Sequence, residues 1–197
     1  MPELPEVETI RRDLHYKILN KKIIDVQILN KKTVHNKEKV FLDILKNNKI
    51  EEIDRVGKLI IFELGDKNFL LVHLKMTGQL IYVKDKPFDS AQGSEVTAGG
   101  HSERKTGLGF PNKHTRVILT FEDKAKLYFN DLRLFGYMKI VDEKEKERIK
   151  HTFGIEPLTL NFTLSNFEKV FNNRKTTLKA ILLNQKIIAG LGNIYAD

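Results

Sequence analysis

The chain has 197 residues and a formal net charge of +8, with 41% hydrophobic residues and no cysteine. That length holds one large domain or two small ones. The absence of cysteine excludes disulfides and any cysteine-based zinc site within these residues. The longest apolar runs, at 59–62 and 69–72, fall far short of the roughly 18 residues that a membrane span needs. Glu3, Glu6 and Glu8 open the chain without an apolar core, which is unlike a secretory signal. A soluble, cytoplasmic protein is expected, with no membrane partner. Excess positive charge favours polyanions, because neutralising phosphates releases condensed counterions, but other basic proteins share that balance.

Residues 3–18 read as a helix, with Val7, Ile10, Leu14 and Ile18 at helical spacing. Pro2 and Pro5 sit at or before its first turn, where a missing N–H costs nothing. Strand-like runs follow at 23–29, 50–56, 59–64 and 69–75, with a short helix at about 39–46. The strand pattern continues at 80–83, 115–121, 126–129 and 137–141. In 115–121 both faces are largely apolar, which suits a strand lying between two layers. Residues 85–113 hold five of the twelve glycines, three serines and two prolines, and this stretch reads as a flexible insertion. From about residue 142 the texture turns helical. Residues 143–150 form a charged helix, Ser165 is the expected cap of a helix over 166–172, and Thr176 or Thr177 caps another through Leu178, Ile181 and Leu182. A Gly190-Leu191-Gly192-Asn193 turn leads into a last helix start at 194–196. The expected fold is α+β: a β-sandwich with flanking helices over 1–141, then a helical domain over 142–197 that ends inside an element.

The opening Met1-Pro2-Glu3-Leu4-Pro5-Glu6 carries chemistry if Met1 is removed, because Pro2 is then a free secondary amine. An α-amine titrates at about 7.7–8.0, so a neutral, nucleophilic fraction exists near neutral pH. Attack on an electrophilic carbon gives an iminium, an electron sink that is charged without a proton. Glu3 lies beside it as a proton shuttle. Proline and glutamate in a first helical turn are also ordinary helix-start residues, so these two alone leave both readings open. Lys58 after Gly57 reads by itself as a solvated lysine, and Met76 as core packing.

The opening resembles the formamidopyrimidine-DNA glycosylase family, bifunctional glycosylase/lyases that remove oxidised purines. The resemblance runs through Val56-Gly57-Lys58-Leu59, His73-Leu74-Lys75-Met76-Thr77-Gly78, Asn130-Asp131-Leu132-Arg133-Leu134-Phe135-Gly136 and the segment from Arg174 to Tyr195. It covers nearly the whole chain except 85–113, and the motifs recur in the family's order. It implies that Pro2 attacks C1′ of the damaged nucleotide, that Glu3 donates a proton, and that Lys58 serves as proton donor in β-elimination; δ-elimination follows. His73 and His114 would contact DNA, Met76 would fill the hole left by a flipped base, Arg133 would pair with the orphaned base and Phe135 would stack on its neighbours. Arg174, Lys179 and Asn193 would hold phosphates in a helix-two-turn-helix module, and the backbone N–H groups at the last helix start would favour an anion. Leu134 departs from the pattern, since a basic residue is usual there.

The same resemblance implies a four-cysteine zinc finger after these residues. The chain therefore reads as a fragment that lacks the one expected zinc, and these residues alone are expected to bind damaged DNA weakly and turn over poorly. No metal ligand or other cofactor is expected within 1–197. The expected partner is double-stranded DNA containing oxidised bases such as 8-oxoguanine, bound by a monomer associated with the nucleoid in base-excision repair. Leu4, where the oxidised-pyrimidine branch usually has glycine, and the Arg133/Phe135 pair favour the purine branch. The alternative of a different class is a non-catalytic damaged-DNA-binding piece, which a retained Met1 would produce by making Pro2 an amide.

Overall fold

The computed structural model describes residues 1–84, 96–99, 109–172 and 174–197. Helix α1, Leu4–Ile18, buries Leu4, Val7, Ile10, Leu14 and Ile18, the stripe that the 3.6-residue period predicts. Next come β1 (Ile23–Ile28), α2 (Glu38–Leu45), β2 (Ile50–Val56), β3 (Leu59–Leu64), β4 (Asn68–His73) and β5 (Gly78–Val83). These are followed by β6 (Val96–Gly99), β7 (Thr115–Phe121), β8 (Lys126–Asp131) and β9 (Tyr137–Asp142). All named pairings are antiparallel. They build one sheet of order β1-β7-β8-β5-β6 and a second of order β2-β3-β4-β9.

One core joins the two sheets. Val117, Leu119, Phe121, Leu127 and Phe129 from the first meet Ile53, Ile60, Phe62, Leu70 and Val72 from the second, closed by α1 and by Phe41 and Leu45 of α2. The alternate residues of β3 and β4, Leu59, Ile61, Phe69 and Leu71, face the other way. They are covered by Ile149 and Phe153, from and just after α3 (Glu143–Lys150). Burial on both faces explains why β3 and β4 read as unbroken apolar runs. Ile118 similarly leaves the main core for an outer cluster with Ile81, Tyr128 and Phe110, which accounts for the two apolar faces expected of β7.

One expectation needs correction. The stretch 85–113 is not a structureless insertion throughout, because β6 pairs with β5 from Val83↔Val96 to Leu80↔Gly99. A strand edge carries unpaired N–H and C=O groups that another extended segment satisfies, and the short Val-Thr-Ala run was hidden among glycines and serines. Residues 109–113 are held as well, Phe110 packing on Tyr128 and the Asn112 N–H reaching the Thr115 hydroxyl at 2.9 Å; the rest of the flexible reading falls on 85–95 and 100–108, outside the described residues.

Beyond α3 the chain forms α4 (Leu164–Lys169), α5 (Leu178–Leu183) and α6 (Asn193–Ala196). Thr163, not Ser165, caps α4, its side chain accepting the Asn166 N–H at 3.2 Å. Thr177 caps α5 through Ala180 N–H. Ile181, Ile187 and Ile188 form a separate small core with Ile155, Phe167, Val170 and Phe171. Among the described residues no helix is long and apolar enough to cross a membrane.

Candidate active site and DNA interface

The amino terminus is fixed from three directions. Pro2 and Glu3 are both buried. The Glu3 carboxylate accepts the backbone N–H of Gly192 at 2.6 Å, of Ile194 at 2.9 Å and of Tyr195 at 3.3 Å. The Leu4 N–H reaches Gly190 O at 3.0 Å. Glu6 accepts the Glu3 N–H at 2.8 Å and, through its other oxygen, the Tyr195 hydroxyl at 2.8 Å. The N–H groups at the start of α6, expected to hold an external anion, are therefore taken by a carboxylate of the chain itself.

Two glycines let this junction close. Gly190 has φ +92°, and a Cβ there would lie 2.3 Å from Leu4 Cδ1; one on Gly192 would lie 2.4 Å from Glu3 Oε1. Gln185 fixes the turn between them, accepting from Gly190 N–H at 2.8 Å and donating to Leu191 O at 2.7 Å.

Lys58 completes the group. It is 7% exposed, so the solvated lysine suggested by its sequence neighbours is not what forms. Burial lowers its pKa, the Glu3 charge works the other way, and Lys75 lowers it further. Its turn is held by a network that sequence reading missed. The Arg55 side chain, 6% exposed, pairs with Glu8 of α1 at 2.8 Å and with Glu156, while Glu156 also accepts the Gly57 N–H at 2.7 Å. Burial works to raise the Glu8 carboxyl, but hydrogen bonds from Arg11, Arg12 and Arg55 outweigh it and bring it down to about 2.

His73 ends β4 beside this group. Burial takes its imidazole down to about 3, helped by Lys75 and Lys58. Its Nδ1 accepts the Lys75 N–H at 3.0 Å, so the neutral ring carries its proton on Nε2 and can donate from there. Tyr137 packs against it and stacks on His35 at 4.6 Å.

The two loops expected to enter DNA lie side by side. Met76 and Phe135 are 41% and 53% exposed. The Arg133 guanidinium lies 3.3 Å from Met76 Sδ and 4.9 Å from the Phe135 ring centre. Both loop tips use positive φ at non-glycine residues, +51° at Lys75 and +59° at Leu134, conformations that persist only where surroundings over-determine them. The surrounding contacts come from Asp131 and Thr77, neither of them singled out in the sequence. Asp131 is fully buried. Its Oδ1 accepts the Thr77 hydroxyl and the Arg133 N–H (3.2 Å), and its Oδ2 accepts the Gly136 N–H at 2.7 Å. His114 stands at the base of these loops, half-buried, its carbonyl accepting the Asp131 N–H at 2.9 Å.

The helical region supplies the remaining expected residues on its surface. Arg174, Lys179 and Asn193 are exposed. Lys179 is paired with Asp197, and Arg174 Nε donates to Val170 O. They do not join the Pro2–Glu3–Lys58 group. The chain has no cysteine, and among the described residues no three His, Asp or Glu side chains converge. The four cysteines implied by the resemblance are therefore not among these residues.

The fold ties an antiparallel sandwich to a small helical module through its first residues, and comparison with known proteins places it in a class of DNA glycosylases. The sequence matches the family model for the formamidopyrimidine-DNA glycosylase N-terminal domain over residues 1–138 and for the H2TH domain of the same enzymes over 153–197. The chain belongs to the formamidopyrimidine-DNA glycosylase family. It is 39% identical over 199 residues to the formamidopyrimidine-DNA glycosylase of Ligilactobacillus salivarius, covering all of this chain and 64% of that one. With the Wolbachia pipientis enzyme it shares 39% over 197 residues, covering 100% and 65%. A solved complex of Lactococcus lactis Fpg with DNA containing an abasic site superposes with a TM-score of 0.77 at 30% identity, covering 99% of this chain and 64% of that chain. A mutant of that protein in complex with Fapy-dG containing DNA gives the same values. The chain thus spans a little under two-thirds of the length of these relatives.

Proposed function

We propose that this chain carries the catalytic front of a bifunctional glycosylase/lyase that removes oxidised purines from duplex DNA, with the amine of Pro2 as nucleophile. In this reading residues 1–141 form the catalytic sandwich unit and 142–197 the helix-two-turn-helix unit. What supports the reading is the buried Pro2–Glu3 start, with the Glu3 carboxylate clamped by the N–H groups of Gly192, Ile194 and Tyr195 and buried Lys58 within electrostatic reach of Glu3.

After Met1 is removed, the Pro2 nitrogen lone pair attacks C1′ of an everted nucleotide and the bond from C1′ to the base breaks. Glu3, adjacent in the chain, moves the proton that ring opening of the sugar requires. The resulting iminium draws electrons from C2′, a proton leaves that carbon, and the C3′–O bond breaks. Lys58, with its pKa lowered by burial, exchanges protons more readily near neutral pH than a solvated lysine does. His73 donates to a backbone phosphate from Nε2. Met76, Arg133 and Phe135 occupy the gap left in the stack, and His114, Arg174, Lys179 and Asn193 add contacts to the strand. Leu4 together with the Arg133/Phe135 pair favours oxidised purines over pyrimidines.

The test is borohydride reduction of the whole gene product on 8-oxoguanine duplex DNA, followed by mapping of the cross-linked residue. A cross-link at Pro2, reduced in Pro2→Gly with DNA affinity unchanged, supports the proposal; a cross-link at a lysine overturns it. Mass analysis of the amino terminus tests the non-catalytic alternative directly, since a retained Met1 leaves no free amine.

A further inference from the structure

We propose that Asp131 and Thr77 act as a clasp that makes the two wedge loops enter DNA as one unit, and are therefore positioning residues for lesion recognition. The inference rests on the reading that Met76, Arg133 and Phe135 enter the duplex. It goes beyond that reading because neither clasp residue needs to touch DNA.

The loops come from different hairpins. Met76 lies between β4 and β5, and Arg133 and Phe135 lie between β8 and β9. Two loops of this kind ordinarily move independently on the surface. Here the Thr77 hydroxyl donates to Asp131 Oδ1 and at the same time accepts the Arg133 N–H at 3.0 Å. One hydroxyl thus bridges the loop of Met76 to the backbone of the wedge arginine. Asp131 anchors the bridge from below. Its backbone C=O accepts Arg116 Nε at 2.8 Å, its N–H donates to His114 O, and its second carboxylate oxygen holds Gly136 N–H. Gly136 packs closely against this support, leaving no room for a side chain: a Cβ there would lie 2.8 Å from Phe129 Cζ and 3.1 Å from Asp131 Oδ2. Above the clasp, Arg133 touches both Met76 and Phe135. The three side chains therefore share one rigid support, although 57 residues separate Met76 from Arg133.

A shared support predicts coupling. Removing one wedge side chain disturbs insertion of the other only while the clasp holds the loops together. The test uses the whole gene product and a duplex with 2-aminopurine beside a lesion, whose fluorescence rises as the neighbouring base unstacks. Thr77→Val is expected to slow that rise roughly tenfold, the effect of two lost hydrogen bonds. Thr77→Ser, which keeps the hydroxyl, is expected to restore the rate. In the unmodified background Met76→Ala and Phe135→Ala should be strongly non-additive; with Thr77→Val they should become additive. Thermal melting identifies any variant that merely unfolds, and Thr77→Ser then carries the comparison. Equal rates for Thr77→Val and Thr77→Ser, or coupling that survives Thr77→Val, overturns the clasp. If neither Met76→Ala nor Phe135→Ala changes the signal, the wedge reading itself fails, and the clasp with it.

Discussion

The carboxylate of Glu3 holds the backbone N–H of Gly192 at 2.6 Å, joining residues 189 apart in sequence. A Cβ at position 192 would lie 2.4 Å from that carboxylate, so Gly192→Ala must displace the Glu3 carboxylate and loosen the amino terminus that it anchors. Displacing a nucleophile by about 1 Å can cost roughly a hundredfold in rate. Gly192→Ala is expected to lose borohydride trapping by about that factor. Gly109→Ala, where an added Cβ meets nothing within 4 Å, is expected to trap normally.

Tyr195 tests the same junction more gently. Its hydroxyl bond to Glu6, which raises the tyrosine's own pKa, steadies the carboxylate that caps Glu3 N–H. Tyr195→Phe should slow trapping roughly two- to fivefold, the scale of one hydrogen bond. Combined with Glu6→Gln it should add little more. Independent, multiplying losses in single-turnover kinetics would refute the link.

The Arg55 network is a stability element. Arg55 bridges Glu8 and Glu156 from a nearly buried position, and removing one member of a buried ion pair costs about 3–5 kcal/mol. Arg55→Ala should show a loss of this size in denaturant unfolding. The pH dependence has a definite sign. Glu8 is depressed from 4.5 to about 2, so its contribution is complete above pH 4.5 and disappears as pH falls towards 2. Glu8→Gln should flatten the unfolding curve across that window.

His73 acts at higher pH. Its folded pKa is lowered from 6.5 to about 3, so between those values the unfolded chain binds the extra proton. The stability associated with the neutral ring is complete above pH 6.5 and falls as pH drops towards 3. His73→Gln should remove this part of the acid sensitivity, measured as melting temperature against pH. An unchanged slope would show that another group titrates there.

Leu134 is exposed on its loop, at a position where the family resemblance implies a basic residue. Leu134→Arg should add one phosphate contact and steepen the dependence of log affinity on log salt by about 0.9. A gel-shift series in increasing salt measures it, and a parallel line with an unchanged slope would place residue 134 away from the backbone.

The sandwich was legible because its signals are local. The stripe of α1 and the apolar runs of β2, β3 and β7 matched the observed spans closely. Strand β6 was not legible, because its pairing satisfies the edge of β5 rather than any local preference. The candidate site followed the same division. Pro2, Met76 and Arg133 were singled out through motifs, whereas Arg55 and Glu156 meet across 101 residues and leave no local trace. Asp131 and Thr77 lay inside quoted motifs, but their service is to the backbone of another loop, which a motif does not record. Glu6 was the exception, since a glutamate three residues after the helix cap is a recognisable capping signature.

The clamp on Glu3 also imposes an order on biogenesis. In the proposed reading Met1 must leave before Pro2 is an amine, yet in the folded chain Pro2 is buried and the next residue is held by Gly192. At about 5–20 residues per second of synthesis, the ribosome takes roughly ten to forty seconds to deliver those partners. Met1 itself stays exposed while Pro2 beside it is packed away, so under the proposed reading early processing meets a loose end and late processing meets a bond with one side already anchored.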